Sequence, residues 1–221
     1  MLSLFRRHLM AVTLAAGAVA GMVAATRWQR TWGTVPAERR AGLPGDSLIP
    51  VPRLTATRAI TIDAPSERVW PWLVQLGWQR GGFYTFDRVE NLFGLGLRSA
   101  DTINPDWQRL DVGSLVQLAD GVALRVAVVD QAKTLVLFGD PSTETATMAH
   151  MPQFSFTWAF VLEPDGAGGS RLIVRERYAW TGVALVPLFA AVEWISFVMS
   201  YGMLRGIKDR AEGCDDGATR C

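Results

Sequence analysis

The chain is poor in the residues on which most nucleophilic and metal chemistry depends. It holds 2 cysteines and 2 histidines in 221 residues. Cys214 and Cys221 both fall in a polar tail beyond the last apolar pattern, so they cannot staple a core and lack structural-zinc spacing. A tail disulfide and a pair of free thiols both remain open. His8 precedes the first apolar run, which leaves His150 as the domain's one histidine. A nucleophile needs a base within hydrogen-bond reach, and a metal site with one histidine needs carboxylates grouped at ligand spacing; neither pattern is present. There is no Gly-x-Ser-x-Gly elbow, and Gly94-Leu95-Gly96 is too short to cradle a dinucleotide. No cofactor and no metal are expected. Charge is scarce as well: 19% of residues are charged, the net charge is +1, and the Lys and Arg residues are dispersed instead of forming a stripe. That distribution gives a nucleic-acid backbone nothing to follow.

What the chain has in surplus is apolar surface. Hydrophobic residues make up 49%, high for a soluble domain, so this surface must go into a membrane, a pocket or a partner. Residues 9–26 carry no charge and are flanked by Arg6 and Arg7 on one side and Arg27 and Arg30 on the other, the length and setting of a membrane-spanning helix. Ala18-Val19-Ala20 offers the competing reading of a cleaved signal, with export of the remainder. The basic residues on the two sides balance, so the positive-inside rule sets no orientation. Residues 1–27 are therefore expected to be a transmembrane anchor or signal. Residues 28–56, with Pro36, Pro44, Pro50 and Pro52 and no sustained period, read as a Pro/Gly-rich tether.

One domain is expected over residues 57–212, with a polar tail at 213–221. In the first strand, Arg58, Ile60 and Ile62 alternate with Ala59 and Thr61. A helix follows from Pro65, and a second is expected over residues 84–93, where Phe86, Val89, Leu92 and Phe93 share a face. Beyond Trp107 the period changes. Residues 115–118, 122–129, 135–138, 154–162 and 171–178 read as strands, with Asp120-Gly121 and a Gly166-Ala167-Gly168-Gly169 run as turns. Strands joined this closely pair antiparallel. Residues 183–211 have one charge, Glu193, before Arg205. A second membrane span fits by length, but a lone carboxylate in lipid is costly, and the polar stripe Glu193, Ser196, Ser200 favours a helix laid on a sheet.

The order of elements, together with Ala64-Pro65-Ser66-Glu67-Arg68-Val69-Trp70-Pro71-Trp72-Leu73, Gly81-Gly82-Phe83-Tyr84-Thr85-Phe86-Asp87, Ser99-Ala100-Asp101 and Pro105-Asp106-Trp107-Gln108, resembles the SRPBCC, or START-like, helix-grip superfamily. The likeness is to its polyketide cyclase/dehydrase-like side and to a bacterial membrane-anchored branch, and it spans 57–212. The fold class it implies is α+β: a helix-grip antiparallel sheet wrapped around a long C-terminal helix, here with an N-terminal transmembrane helix. It also implies a cavity between sheet and helix, with the short helices closing one end. Members include lipid carriers, hormone receptors and polyketide cyclases, so fold alone does not fix function.

Within such a cavity Phe154, Phe156, Trp158 and Phe160, on one strand face, supply aromatic wall or simply fill core. The polar candidates are Tyr84, Asp87, Glu90 and Asn91 from the second helix, Asp101 from the loop, and Arg175, Glu176 and Arg177 from the last strand. Tyr84, Asp87 and Asn91 are spaced to share one helical face. Strand alternation lets either Glu176 or the Arg175/Arg177 pair face inward, never both. Asp87 and Asp101 serve equally well as helix caps or arginine partners. The expected function is a membrane-anchored binder or carrier of a small hydrophobic, lipid-like or polyketide-like ligand. A cyclase or dehydratase-type enzyme using Tyr, Asp or Arg in the same cavity, and a solid structural module, are the alternatives.

Overall fold

The computed structural model describes residues 2–85, 99–141 and 154–213. The helices are α1 (Leu2–Arg30), α2 (Pro36–Arg40), α3 (Ser66–Val74) and α4 (Val186–Glu212). The strands are β1 (Leu54–Ile62), β2 (Leu115–Ala119), β3 (Val122–Asp130), β4 (Thr134–Gly139), β5 (Phe154–Pro164) and β6 (Ser170–Trp180). They form one six-stranded antiparallel sheet in the order β1-β6-β5-β4-β3-β2. Five of its strands follow one another as neighbours, as short connections dictate. The first strand closes the far edge beside the last, pairing Leu54 with Tyr178 and Ile62 with Ser170. The architecture is α+β and helix-grip like, with the long C-terminal helix seated on one sheet face.

That seating follows from the pattern of α4. Phe189, Glu193, Phe197, Ser200, Met203, Leu204, Ile207 and Ala211 recur at helical spacing and are buried. Among the described residues α4 is also the helix long and apolar enough to cross a membrane by length and composition, and Trp194 and Val198 on its other side are exposed. Gly206 marks its closest approach to the rest of the domain. A Cβ there would collide with the Tyr84 carbonyl, so only glycine lets the helix lie this low. In α3, Pro71 sits inside the helix beyond its first turn, where it gives up one intrahelical hydrogen bond. Its Val69, Trp70, Trp72, Leu73 and Val74 all enter the core.

Residues 31–53, which show no period in the sequence, lie along the opposite face of the sheet. The outward side chains of β6 hold them there. Arg175, 3% exposed, donates to Asp46 at 2.7 Å, to the Ala41 carbonyl at 2.8 Å and to the Glu38 carbonyl at 2.8 Å. Arg177 donates to the Ile49 carbonyl, and Arg171 pairs with Glu38. An irregular backbone thus finds partners for carbonyls that have no ladder or helix to satisfy them. Leu43, Ala59, Val161 and Ile173 form a small second core beneath the strap. Gly45, at φ +89, presses so closely on Val136 that no side chain fits.

Candidate functional site

Between the inner sheet face and α4 lies a cavity of about 330 Å³. That is near the lower end of the ~300–1,000 Å³ typical of small-molecule sites. Phe154, Phe156 and Trp158 of β5 and Leu118, Val122 and Leu124 of β2 and β3 supply one side, and Val192, Ile195, Met199 and Met203 of α4 the other. Phe83 and Thr85 approach from the loop after α3. Strand alternation places the three aromatics in a row. Trp158 lies 6.3 Å from Phe156 and 4.9 Å from Phe160, ring centre to ring centre, so each stiffens the next.

The polar part of the wall is one built cluster. Glu176, 3% exposed, receives Arg58 at 2.9 Å and the Ser200 hydroxyl at 2.7 Å on Oε1, and the Ser196 and Tyr178 hydroxyls on Oε2, the latter at 3.2 Å. Arg58 is 1% exposed and lies behind the carboxylate, away from the cavity lining. Its Nε donates to the Gln29 carbonyl at 3.0 Å and its Nη2 to the Gln29 side chain at 3.1 Å. Gln29 and Arg30 both donate to Glu193. The cluster therefore joins the end of α1, β1, β6 and α4. Aromatic contacts reinforce the junction: Trp28 packs edge-on to Phe197 at 5.2 Å and Trp32 to Tyr201 at 4.8 Å. Burial pushes the Tyr178 phenol well above its usual pKa, and the adjacent Glu176 charge pushes it further. The phenol stays protonated and remains a donor to Glu176.

Phe154, Phe156, Trp158 and Glu176 are brought together in the cavity lining. Phe160 is fully buried in the core just beyond it. Arg175 occupies the opposite sheet face, where it clamps the strap. Asp101 is exposed and pairs with Arg210 at 3.0 Å. Tyr84 is buried, donates to the Trp72 carbonyl at 3.0 Å and carries Arg210 over its ring. Its backbone is left-handed, φ 55, so the chain turns at Tyr84 instead of beginning a helix there. Asp87, Glu90, Asn91 and His150 lie outside the described residues.

Arg58, Tyr178, Ser196 and Ser200 were not among the sequence candidates. Strand parity held the signal for two of them. Arg58 shares its face with Ile60 and Ile62, and Tyr178 shares Glu176's face, so a charge on each of two neighbouring core-facing strands calls for an ion pair. No group of three or more His, Cys, Asp or Glu side chains capable of holding a metal occurs among the described residues.

No protein-family model and no curated protein matches the chain. Solved structures with a related arrangement do. A protein from Mesorhizobium loti is 16% identical, with a TM-score of 0.43, over 73% of this chain and 99% of its own. Ara h 8.0201 is 16% identical, with a TM-score of 0.46, over 72% and 97%. Aha1 from Colwellia psychrerythraea is 16% identical, with a TM-score of 0.38, over 72% and 97%. Likenesses of this degree say nothing of a membrane anchor or a ligand.

Proposed function

We propose that this chain is a membrane-anchored binding or carrier protein for a small hydrophobic molecule held between the sheet and α4. The observation that carries the reading is the cavity itself: about 330 Å³ of space walled by aromatic and aliphatic side chains, with one hydrogen-bonded carboxylate cluster at its side. Apolar walls around a space of this size lack contacts that a small apolar molecule would supply. Anchoring is supported by α1. Its Met10, Leu14, Val19 and Met22 are exposed, no charge interrupts residues 9–26, and Arg27, Trp28, Arg30 and Trp32 supply the basic and aromatic residues favoured at a membrane interface. The exposed face of α4 adds Trp194 and Val198. Glu193, a costly group beside lipid, is neutralised by Arg30.

The test is to purify the full chain from membranes in a mild detergent, extract it with organic solvent, and identify small molecules stoichiometric with protein. A co-purifying apolar compound supports the reading. A chain that is empty, and that takes up no apolar compound when offered one, contradicts it. The intact mass from the same preparation separates a retained anchor from a cleaved signal. Acid–base chemistry, the alternative use of the cavity, would fall to Glu176, and turnover of the co-purified compound would favour it.

A further inference from the structure

The donors and acceptors of the cavity wall narrow the class of ligand. Glu176 has about four lone-pair positions, and four donors occupy them: Arg58, Ser200, Ser196 and Tyr178. The same bonds use the hydroxyl hydrogens of Ser196, Ser200 and Tyr178, since each hydroxyl has one to give. Thr85, which also lines the cavity, has an interaction of its own. What these groups still offer a ligand is acceptor capacity: the phenol oxygen of Tyr178 and the second lone pairs of the two serines. Arg58 does not reverse this, because it lies behind Glu176 and its guanidinium is spent on Glu176, Gln29 and the two serines. Among the described residues no Lys or Arg lines the cavity. The Nε1 of Trp158 has no partner, but it is sealed from the open space.

We infer that the cavity selects a neutral apolar molecule whose polar end is a hydrogen-bond donor, an alcohol or phenol, and rejects apolar anions such as fatty acids. Among the described residues a carboxylate would face acceptors with no cation to offset it, and burial of an uncompensated charge is strongly disfavoured. Among the described residues, Glu176 and the three hydroxyls bonded to it leave an ether or ketone no free donor. An alcohol would satisfy Tyr178, Ser196 or Ser200 without disturbing their bonds to Glu176. This inference rests on the proposed binding role.

The experiment offers the full chain an equimolar mixture of farnesol, farnesyl methyl ether and farnesoic acid, which share one apolar body. Native mass spectrometry after release from detergent identifies which stays bound. The expected result is farnesol favoured over the ether by about tenfold, the factor one neutral hydrogen bond supports, and over the acid by more. Tyr178→Phe and Ser196→Ala, each tested alone, are expected to reduce the preference for farnesol over the ether while the apolar body still binds. Equal binding of the ether overturns the inference and points to Trp158 as a donor. Preference for the acid overturns it outright. Retention of none of the three overturns the binding role as well, which separates the two failures.

Discussion

Arg58 and Glu176 form an ion pair with side chains 1% and 4% exposed, and its disruption should be the most destabilising polar change in the domain. Arg58→Met removes a guanidinium making five hydrogen bonds, three through Nη1 and two to Gln29. It leaves a buried carboxylate with three hydroxyl donors and no counter-charge. Breaking a buried pair from one side costs about 3–5 kcal/mol. For a domain of this size that is a fall in Tm of roughly 6–20 °C, at about 2–4 °C per kcal/mol. Glu176→Leu should cost a similar amount, because it strands Arg58 instead. The double variant removes both charges, and the pair's desolvation cost disappears with them, so its loss should stay below that of either single change, within about 2 kcal/mol of the parent. Urea and thermal unfolding of the full chain in detergent, followed by circular dichroism, gives the three numbers and their coupling. Additive losses, or an Arg58→Met variant within about 1 kcal/mol of the parent, would refute the claim that this pair is a desolvated unit.

The strap is expected to come free without harming the cavity. Asp46→Ala removes the pairs with Arg175 at 2.7 Å and Arg177 at 3.1 Å and the cap on the Leu43 amide, so limited proteolysis should cut within residues 36–51 faster than in the parent. Unchanged cleavage would show that the strap is held by its apolar contacts alone. Tyr84 and Tyr178 both have pKa values raised above the ordinary value of 10, by burial first in each case. A raised folded-state pKa means the stabilisation is complete below about pH 10 and is lost as the pH climbs above it, when the unfolded chain ionises and the folded one does not. Thermal stability should therefore fall above pH 10, and phenolate absorbance from these two residues should appear together with unfolding. Tyr178→Phe should remove amplitude from that late rise; removal from an early rise near pH 10 would contradict the burial argument.

Most of the fold was legible in the sequence because each element carried its own period. The strands at 115–118, 122–129, 135–138, 154–162 and 171–178 correspond to β2 to β6 with ends shifted by a residue or two, and the helix at 183–211 corresponds to α4. Glu193 and Ser200 on a helix otherwise able to span a membrane were a sound sign of a sheet-packed face, and both are buried. The strap was illegible for a physical reason. Its order comes from arginines more than a hundred residues away, and nothing local in its Pro/Gly pattern encodes that. Tyr84 itself takes a left-handed backbone with its side chain in the core, and its spacing to Asp87 could not signal that single turn. At the cavity, alternation correctly left Glu176 and the Arg175/Arg177 pair on opposite faces, but the pattern of β6 alone could not say which was inside. Arg58 decides it, since an arginine on the core face of β1 needs a carboxylate on the core face of the neighbouring strand.

The most direct test of ligand binding is the thermal shift caused by farnesol in the parent and in a variant with the cavity filled. Met199→Trp combined with Val122→Phe adds ring volume from both sides of the space without touching the Glu176 cluster. At a free ligand concentration of about 100 times Kd, binding to the native state stabilises it by roughly 2.7 kcal/mol. The parent should therefore gain about 5–11 °C in Tm. The filled variant should fold and show no gain. Equal shifts in the two proteins, or no shift in the parent at any farnesol concentration, would contradict a ligand site between the sheet and α4.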